Sequence, residues 1–157
     1  KKMSNLIKFI ISIAIPQLAA GIGSFLTAPN ISSWYSQLQK PALNPPNWIF
    51  APVWTILFIM MGVSLYLVWT APDSASKKTA YLIFAVQLIL NVTWSGLFFA
   101  LQKPLFAGIE IIILWIVILL NIVKFYSISK PAGWLLVPYL LWVSFASYLN
   151  WQIFLLN

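Results

Sequence analysis

Apolar residues occupy most of the chain in five runs, each of about 20 residues and so long enough to cross a bilayer as a helix. The runs cover residues 6–28, 48–70, 79–101, 105–126 and 133–156. Backbone groups in lipid must be hydrogen-bonded within the protein, which a helix achieves by itself. The pattern therefore predicts an all-α membrane protein folded as a five-helix transmembrane bundle.

Prolines and polar residues mark the breaks between the runs. Pro29 and Asn30 are expected to end the first helix, Lys103 and Pro104 to separate the third from the fourth, and Pro131 to precede the fifth. Most connections are short, so consecutive helices should be antiparallel neighbours. No polar linker or soluble stretch of about 50 residues interrupts the pattern. Residues 1–157 are therefore predicted to form a single transmembrane domain.

The connection between the first two helices, residues 29–47, is much longer than the others. It contains Pro41, Pro45 and Pro46, and an amphipathic portion from Ile31 to Leu38. A long connection in a small protein is often functional, and this one is predicted to cap a ligand pocket. The alternative interpretation is a short helix that only seats its aromatic residues among lipid headgroups.

Charged residues are scarce, and most of them are positive. Charged residues make up 7% of the chain, and nine lysines outnumber the two acids, Asp73 and Glu110, for a net charge of +7. Lysines at the ends of apolar runs anchor to headgroups, and without arginine the bidentate contacts typical of nucleic-acid binding are unavailable, so no nucleic-acid partner is expected. Seven lysines against two predict a cytoplasmic N-terminus. The seven on the N-terminal side are Lys1, Lys2, Lys8, Lys77, Lys78, Lys124 and Lys130, and the two on the other side are Lys40 and Lys103.

Cysteine and histidine are both absent from the sequence. Their absence excludes disulfides and removes the commonest zinc ligands, histidine general bases and cysteine nucleophiles. We therefore expect no metal site, no cofactor and no enzyme that works by ordinary acid–base or nucleophilic chemistry.

Polar and aromatic side chains share one face of the predicted third helix. Gln87, Asn91, Trp94, Ser95 and Phe98 recur at helical spacing. Amides in lipid must face protein or a cavity, and they often link neighbouring helices. The alternation of amides with aromatic rings is also typical of a pocket for a flat, mostly apolar ligand. Both interpretations stay open.

The second and fifth predicted helices carry similar faces. Trp54 and Phe58 lie one turn apart, as do Trp142 and Ala146. Aromatic belts at the membrane interface explain about half of the nine tryptophans. They do not explain Trp54, Trp94 and Trp142, which lie inside the predicted spans. These positions favour a pocket lined by tryptophan.

Two further features each have two interpretations. Glu110 is an acid inside a predicted span, which favours a functional role. The alternative is that the positive end of the helix dipole stabilises its carboxylate, because Glu110 lies near the helix start. Small residues recur from Ala19 to Ser24. They predict close helix approach, either within the bundle or between two protomers.

Three ordered motifs run along the chain. The first reads W-Y-x-x-L-x-K-P-x-x-x-P-P-x-x-x-F-x-x-x-W and extends from Trp34 to Trp54. The second, in the third helix, comprises Asn91, Trp94, Ser95, Phe98 and Phe99. The third, in the fifth helix, comprises Pro138, Tyr139, Trp142, Phe145, Ala146 and Asn150. Together they resemble the motifs of the TspO and translocator protein family, in its bacterial type.

The resemblance implies a five-helix bundle, commonly a homodimer in a bacterial cell membrane, with a pocket closed by the first loop. Members bind porphyrins and benzodiazepine- or isoquinoline-type ligands. The resemblance therefore implies a membrane binding and sensory protein, or receptor, for tetrapyrroles and similar flat apolar ligands. The pocket residues carried over are Tyr35, Pro45, Trp54, Phe58, Asn91, Trp94, Ser95, Trp142 and Ala146.

Two alternative functions use the same pocket. Some bacterial relatives degrade porphyrin in light, which would make Trp54 and Trp142 the reactive residues. The other alternative is transport of tetrapyrroles or lipids, although transporters are often built from internal repeats that a five-span chain does not show. Specific sterol binding is not expected, because no basic residue follows Tyr148 in the fifth helix.

Overall fold

The computed structural model describes residues 3–157, so Lys1 and Lys2, which the predicted orientation uses, lie outside the described residues. The α-helices are α1 (Asn5–Asn30), α2 (Asn47–Thr70), α3 (Ser76–Ser95), α4 (Pro104–Ile128), α5 (Lys130–Leu135) and α6 (Val137–Leu156). Two π-helical segments, Ile31–Tyr35 and Gly96–Ala100, continue α1 and α3. The described chain thus has five helical stretches long and apolar enough to cross a membrane. This confirms the predicted all-α, five-span class.

The first α-helix ends at Asn30, as Pro29 and Asn30 predict, but the helical path unexpectedly continues beyond it. Proline lacks an N–H and disfavours a regular α-turn, but the chain widens after it into the π-helical segment Ile31–Tyr35. The carbonyl of Pro29 accepts a hydrogen bond from Ser33 Oγ at 3.1 Å. The continuous path carries Tyr35 to the end of the bundle, where the first loop begins.

The fifth span is interrupted, whereas the sequence predicts one helix over residues 133–156. It begins earlier, at Lys130, and a turn at Leu136 separates α5 from α6. Pro138 explains the interruption, because its ring nitrogen cannot donate a hydrogen bond to a carbonyl of α5. Leu136 is fully buried, so the bend is packed inside the bundle.

Neighbouring helices pack antiparallel. Phe9 near the start of α1 meets Tyr66 near the end of α2, with ring centroids 5.3 Å apart. Phe84 in the first half of α3 stacks on Phe125 near the end of α4, with centroids 5.6 Å apart. Phe84 and Phe125 belong to an apolar core to which all the spans contribute.

Gly62 lies at a close approach of α2 to α1. A Cβ at this position would lie 2.8 Å from the Ile13 Cα and 2.9 Å from the Ser12 carbonyl oxygen, both backbone atoms. Gly62→Ala should therefore lower the thermal unfolding midpoint in detergent, because overpacking costs about 1–3 kcal/mol. Gly21→Ala is the matched control: a Cβ there meets nothing within 4 Å, and alanine gains about 1 kcal/mol of helix propensity. Equal midpoints for the two variants would contradict the close approach.

The up-and-down packing separates the described lysines into two groups. The end at which α1 begins, here called the lysine-rich end, carries Lys8, Lys77, Lys78, Lys124 and Lys130, and the opposite end, here called the loop end, carries Lys40 and Lys103. Lys77 is buried, donates to the Trp69 carbonyl at 3.1 Å and pairs with Asp73 at 3.4 Å. The cytoplasmic N-terminus stays a prediction, which this asymmetry supports.

Candidate ligand-binding site

A cavity of about 280 Å³ lies in the loop-end half of the bundle, between α1, α2, α3 and α6. Eight of the nine predicted pocket residues line it, namely Tyr35, Trp54, Phe58, Asn91, Trp94, Ser95, Trp142 and Ala146. Pro45 is not among the lining residues. Its carbonyl instead accepts a hydrogen bond from Asn44 Nδ2 at 3.2 Å, within the first loop. The structure thus brings the eight side chains together, while their role in binding stays a prediction.

Aromatic rings form one wall of the cavity. The Trp54 ring centroid lies 5.7 Å from that of Phe58 and 6.2 Å from that of Tyr139. Trp142 of α6 lies 6.0 Å from Phe50 of α2, centroid to centroid. Helical spacing places Phe50, Trp54 and Phe58 on one stripe of α2. Their rings form an apolar surface against which a flat ligand can stack.

Hydrogen bonds fix the polar side of the cavity. Asn91 Nδ2 donates to the Tyr139 hydroxyl at 2.8 Å, which joins α3 to α6. Trp94 Nε1 donates to Asn150 Oδ1 at 3.0 Å, and Asn150 Nδ2 donates to the Pro104 carbonyl at 2.8 Å. Asn91 therefore links two helices, as the first interpretation of the third-helix face expects, and it also lines the cavity, while ligand binding by this face stays a prediction.

One hydrogen-bond donor in the wall has no protein partner. Trp142 Nε1 is buried and bonds to none of the residues that the structure describes. A buried polar group left unpaired costs about 1–3 kcal/mol. Trp142 therefore offers a ligand its ring surface, while its N–H is buried away from the cavity.

The first loop closes the cavity at the loop end. Tyr35 is 5% exposed, and its hydroxyl donates to Asn44 Oδ1 at 3.2 Å. The Lys40 ammonium lies 4.6 Å from the Tyr35 ring centroid, within cation–π range. The Asn157 side chain donates to the Gln39 carbonyl at 3.0 Å and accepts from the Gln39 N–H at 2.9 Å, which ties the loop to α6. These contacts favour a lid over a free interfacial helix.

Helix α1 supplies a side of the cavity that the motifs did not indicate. Its small and polar lining residues are Gln17, Ala20, Gly23, Ser24 and Thr27. Their spacing of three or four is the available signal, since it marks a polar stripe in an otherwise apolar helix. The short side chains of Ala20, Gly23 and Ser24 leave room for the cavity, and close approach of the small-residue run to another helix, within the bundle or between protomers, stays a prediction.

Glu110 lies outside the lining of the cavity. It is buried in α4, and neither carboxyl oxygen has a hydrogen-bond partner among the described residues. Asn121, about three turns further along α4, is also buried, with both side-chain polar atoms unpaired within the described part of the chain. The geometry assigns neither residue to the candidate site.

The chain matches the profile of the TspO/MBR family over residues 12–156. It is 50% identical over 142 residues to the tryptophan-rich protein TspO of Chlorobaculum tepidum, covering 89% of this chain and 90% of that protein. It is 46% identical over 157 residues to the tryptophan-rich protein TspO of Archaeoglobus fulgidus, covering 98% and 99%. It is 33% identical over 138 residues to the translocator protein of Homo sapiens, covering 87% and 82%. These matches confirm the resemblance carried by the three motifs, and this integral, multi-pass membrane protein belongs to the TspO/MBR family.

Proposed function

We propose that this protein binds porphyrins and similar flat, largely apolar ligands in the cavity beneath the first loop, as a membrane sensory protein. One observation carries the proposal: the aromatic rings of Trp54, Phe58 and Trp142 line the same cavity as the polar side chains of Asn91 and Ser95. Aromatic walls stack against a flat ring system, and a few polar groups fix its orientation. The name of the Homo sapiens relative, translocator protein, agrees with a protein that handles a ligand at a membrane.

A metal-free tetrapyrrole suits the chain better than haem. Histidine and cysteine, the commonest axial ligands of haem iron, are absent from the sequence. Benzodiazepine- and isoquinoline-type compounds also combine flat rings with few polar groups. Such compounds should therefore compete with the porphyrin for the cavity.

The size of the cavity constrains how a macrocycle binds. At about 280 Å³ the cavity lies at the lower end of small-molecule sites, which span about 300–1,000 Å³. Ser24, Ala51 and Thr55 line the cavity and are exposed, on the side between α1 and α2. A tetrapyrrole therefore requires the lid to move, or one edge of the macrocycle to project between these two helices.

Titration of the purified protein with protoporphyrin in the dark tests the proposal. Nine tryptophans make fluorescence quenching a sensitive signal, and we expect saturable quenching that an isoquinoline-type ligand reverses. Trp54→Ala combined with Asn91→Ala should weaken binding by at least about tenfold. Trp48→Ala is the control, because Trp48 is 73% exposed and lies outside the cavity lining. Quenching that never saturates would contradict a specific site.

The contacts of the lid predict that it slows ligand release. The Trp34 ring lies 5.6 Å from Phe98, centroid to centroid, and the Tyr35 hydroxyl bonds to Asn44. Replacing Trp34 and Tyr35 with alanine should raise the dissociation rate about tenfold and change the association rate little, because lost contacts act mainly on dissociation. Stopped-flow displacement of bound porphyrin measures the rate, with Trp48→Ala as control. Unchanged release would support the free interfacial helix instead.

A second candidate function, light-dependent porphyrin degradation, is favoured by the kind of aromatic residue in this lining. Trp54 and Trp142 both line the cavity, so a porphyrin bound there would contact two indoles, which are readily oxidised side chains. Illumination of the bound complex with and without dioxygen distinguishes degradation from binding alone.

A further inference from the structure

A second cavity, an apolar groove, lies between α1, α2 and α3 in the other half of the bundle. Its volume is about 550 Å³. Apolar side chains dominate its walls, among them Ile11, Ile15, Leu65, Ala85 and Ile89. Because Ile15 and Ile89 are exposed on the outside of the bundle, the groove opens toward the hydrocarbon of the bilayer.

The groove fits within one lipid leaflet. On α3 it extends from Tyr81 to Ile89, a rise of about 12 Å, and Lys78 lies one turn before Tyr81, toward the lysine-rich end. Half of the hydrocarbon core of a bilayer is about 15 Å thick. With Lys78 at the headgroup level, the groove therefore lies in the hydrocarbon of the adjoining leaflet.

Two lysines lie beyond the outer end of the groove. Helical spacing places Lys8 one turn from Ile11 on α1, and Lys78 one turn from Tyr81 on α3. Lys77 is already engaged, since it donates to the carbonyl end of α2 and forms an ion pair. Neither Lys8 nor Lys78 forms a salt bridge with any residue that the structure describes. Both ammonium groups therefore remain available to an anion at the headgroup level.

Two aromatic residues mark the boundary between groove and lysines. Trp69 and Tyr81 line the groove near its outer end, and such side chains favour the membrane interface, where the ring is apolar and the polar tip is wet. An apolar groove within one leaflet, polar tips of aromatic side chains at its outer end and two lysines beyond them match the acyl chain, the interfacial region and the phosphate of one lipid molecule. We propose that the groove holds an acyl chain of an anionic glycerophospholipid whose phosphate lies between Lys8 and Lys78.

Trp69 provides a direct readout, because a brominated acyl chain in the groove would quench its fluorescence. The parent and Trp69→Phe are reconstituted in phosphatidylcholine vesicles with rising fractions of dibrominated phosphatidylglycerol or dibrominated phosphatidylcholine, and the difference between the two proteins isolates Trp69. We expect the groove to prefer phosphatidylglycerol by at least about fivefold, the effect of a single lysine at a membrane surface. Lys8→Gln with Lys78→Gln should abolish that preference.

Two further variants separate a site from general surface effects. Lys124→Gln removes a charge at the same end but on α4, away from the groove, and should keep the preference; an equal loss would show that surface charge explains it. Ala85→Phe narrows the groove and should reduce quenching of Trp69 by both lipids.

Equal quenching by the two lipids in the parent would show that the groove is part of the surface that any lipid contacts without selection. Absence of quenching by either lipid would mean that a second copy of the chain, or another part of this one, covers the face. The proposal is overturned by an equal loss of preference in Lys124→Gln, by equal quenching by the two lipids in the parent, or by the absence of quenching.

Discussion

Ala146→Phe is expected to reduce porphyrin affinity by about 100-fold or more, or about 2.7 kcal/mol. Ala146 lies on α6 one turn from Trp142 and one turn from Asn150, and all three line the cavity. Its short side chain leaves open the space beside the aromatic wall. A benzyl group at this position would occupy a large part of a cavity of only about 280 Å³. Tryptophan quenching by protoporphyrin, measured in the dark, gives the dissociation constant of each variant.

Ala14→Phe is the matched control for this substitution. Ala14 is exposed on α1 and does not line the cavity, so the variant should bind as the parent does. Far-UV circular dichroism and a monodisperse elution profile establish whether each variant is folded. Ala146→Leu is a milder change that keeps the test valid if the phenylalanine variant does not fold. Normal binding by a folded Ala146 variant would place the porphyrin elsewhere and refute the proposed site.

Helical periodicity made most of the candidate site predictable. In a lipid-embedded helix, polar side chains must point inward, so the faces that carry Trp54, Asn91 and Trp142 can be assigned to the interior from spacing alone. Spacing within one helix does not say which helices are neighbours. The convergence of the three faces on one cavity therefore followed from the family resemblance and from the packing, and not from periodicity.

The effects of proline were harder to predict, because they depend on what surrounds each ring. After Pro29 the chain stays helical, as a π-helical segment. At Pro138 the fifth span is instead broken by a turn at the buried Leu136. Each proline lacks the N–H that would donate to the carbonyl four residues earlier, and tertiary packing decides whether the helix continues or breaks. Pro45 lies in an irregular loop, where no period fixes the direction of a side chain. Its assignment to the cavity lining therefore had no physical basis beyond the resemblance.

Any turnover of porphyrin in this cavity should require light. The lining residues include no carboxylate, and the sequence has neither histidine nor cysteine, so the hydroxyls that line the cavity have no ordinary general base to activate them as nucleophiles. An excited porphyrin can instead take one electron from a stacked indole, which leaves a porphyrin radical anion and an indole radical cation. Dioxygen, as co-reactant, then forms a C–O bond with the porphyrin radical anion, and the adduct returns one electron to the indole radical cation. The net change is addition of dioxygen to the macrocycle, which interrupts its conjugation, while the indole is restored. This sequence needs an indole in contact with the ligand, which is the position of Trp54 and Trp142 in the proposed complex.

Replacing both Trp54 and Trp142 with phenylalanine should therefore separate binding from photochemistry. Phenylalanine keeps an aromatic surface but loses the oxidisable indole and, at Trp142, the unpaired N–H. Affinity should fall by less than about tenfold, or about 1.4 kcal/mol, while the rate of photodegradation falls much further. Both are measured in one detergent preparation at fixed dioxygen, with the bleaching of free porphyrin subtracted and Trp48→Phe as control. If the double variant bleaches porphyrin as fast as the parent, the two tryptophans are only walls of the cavity. Degradation in the dark would contradict the requirement for light. It would show that a group in the cavity catalyses the reaction without light-driven electron transfer.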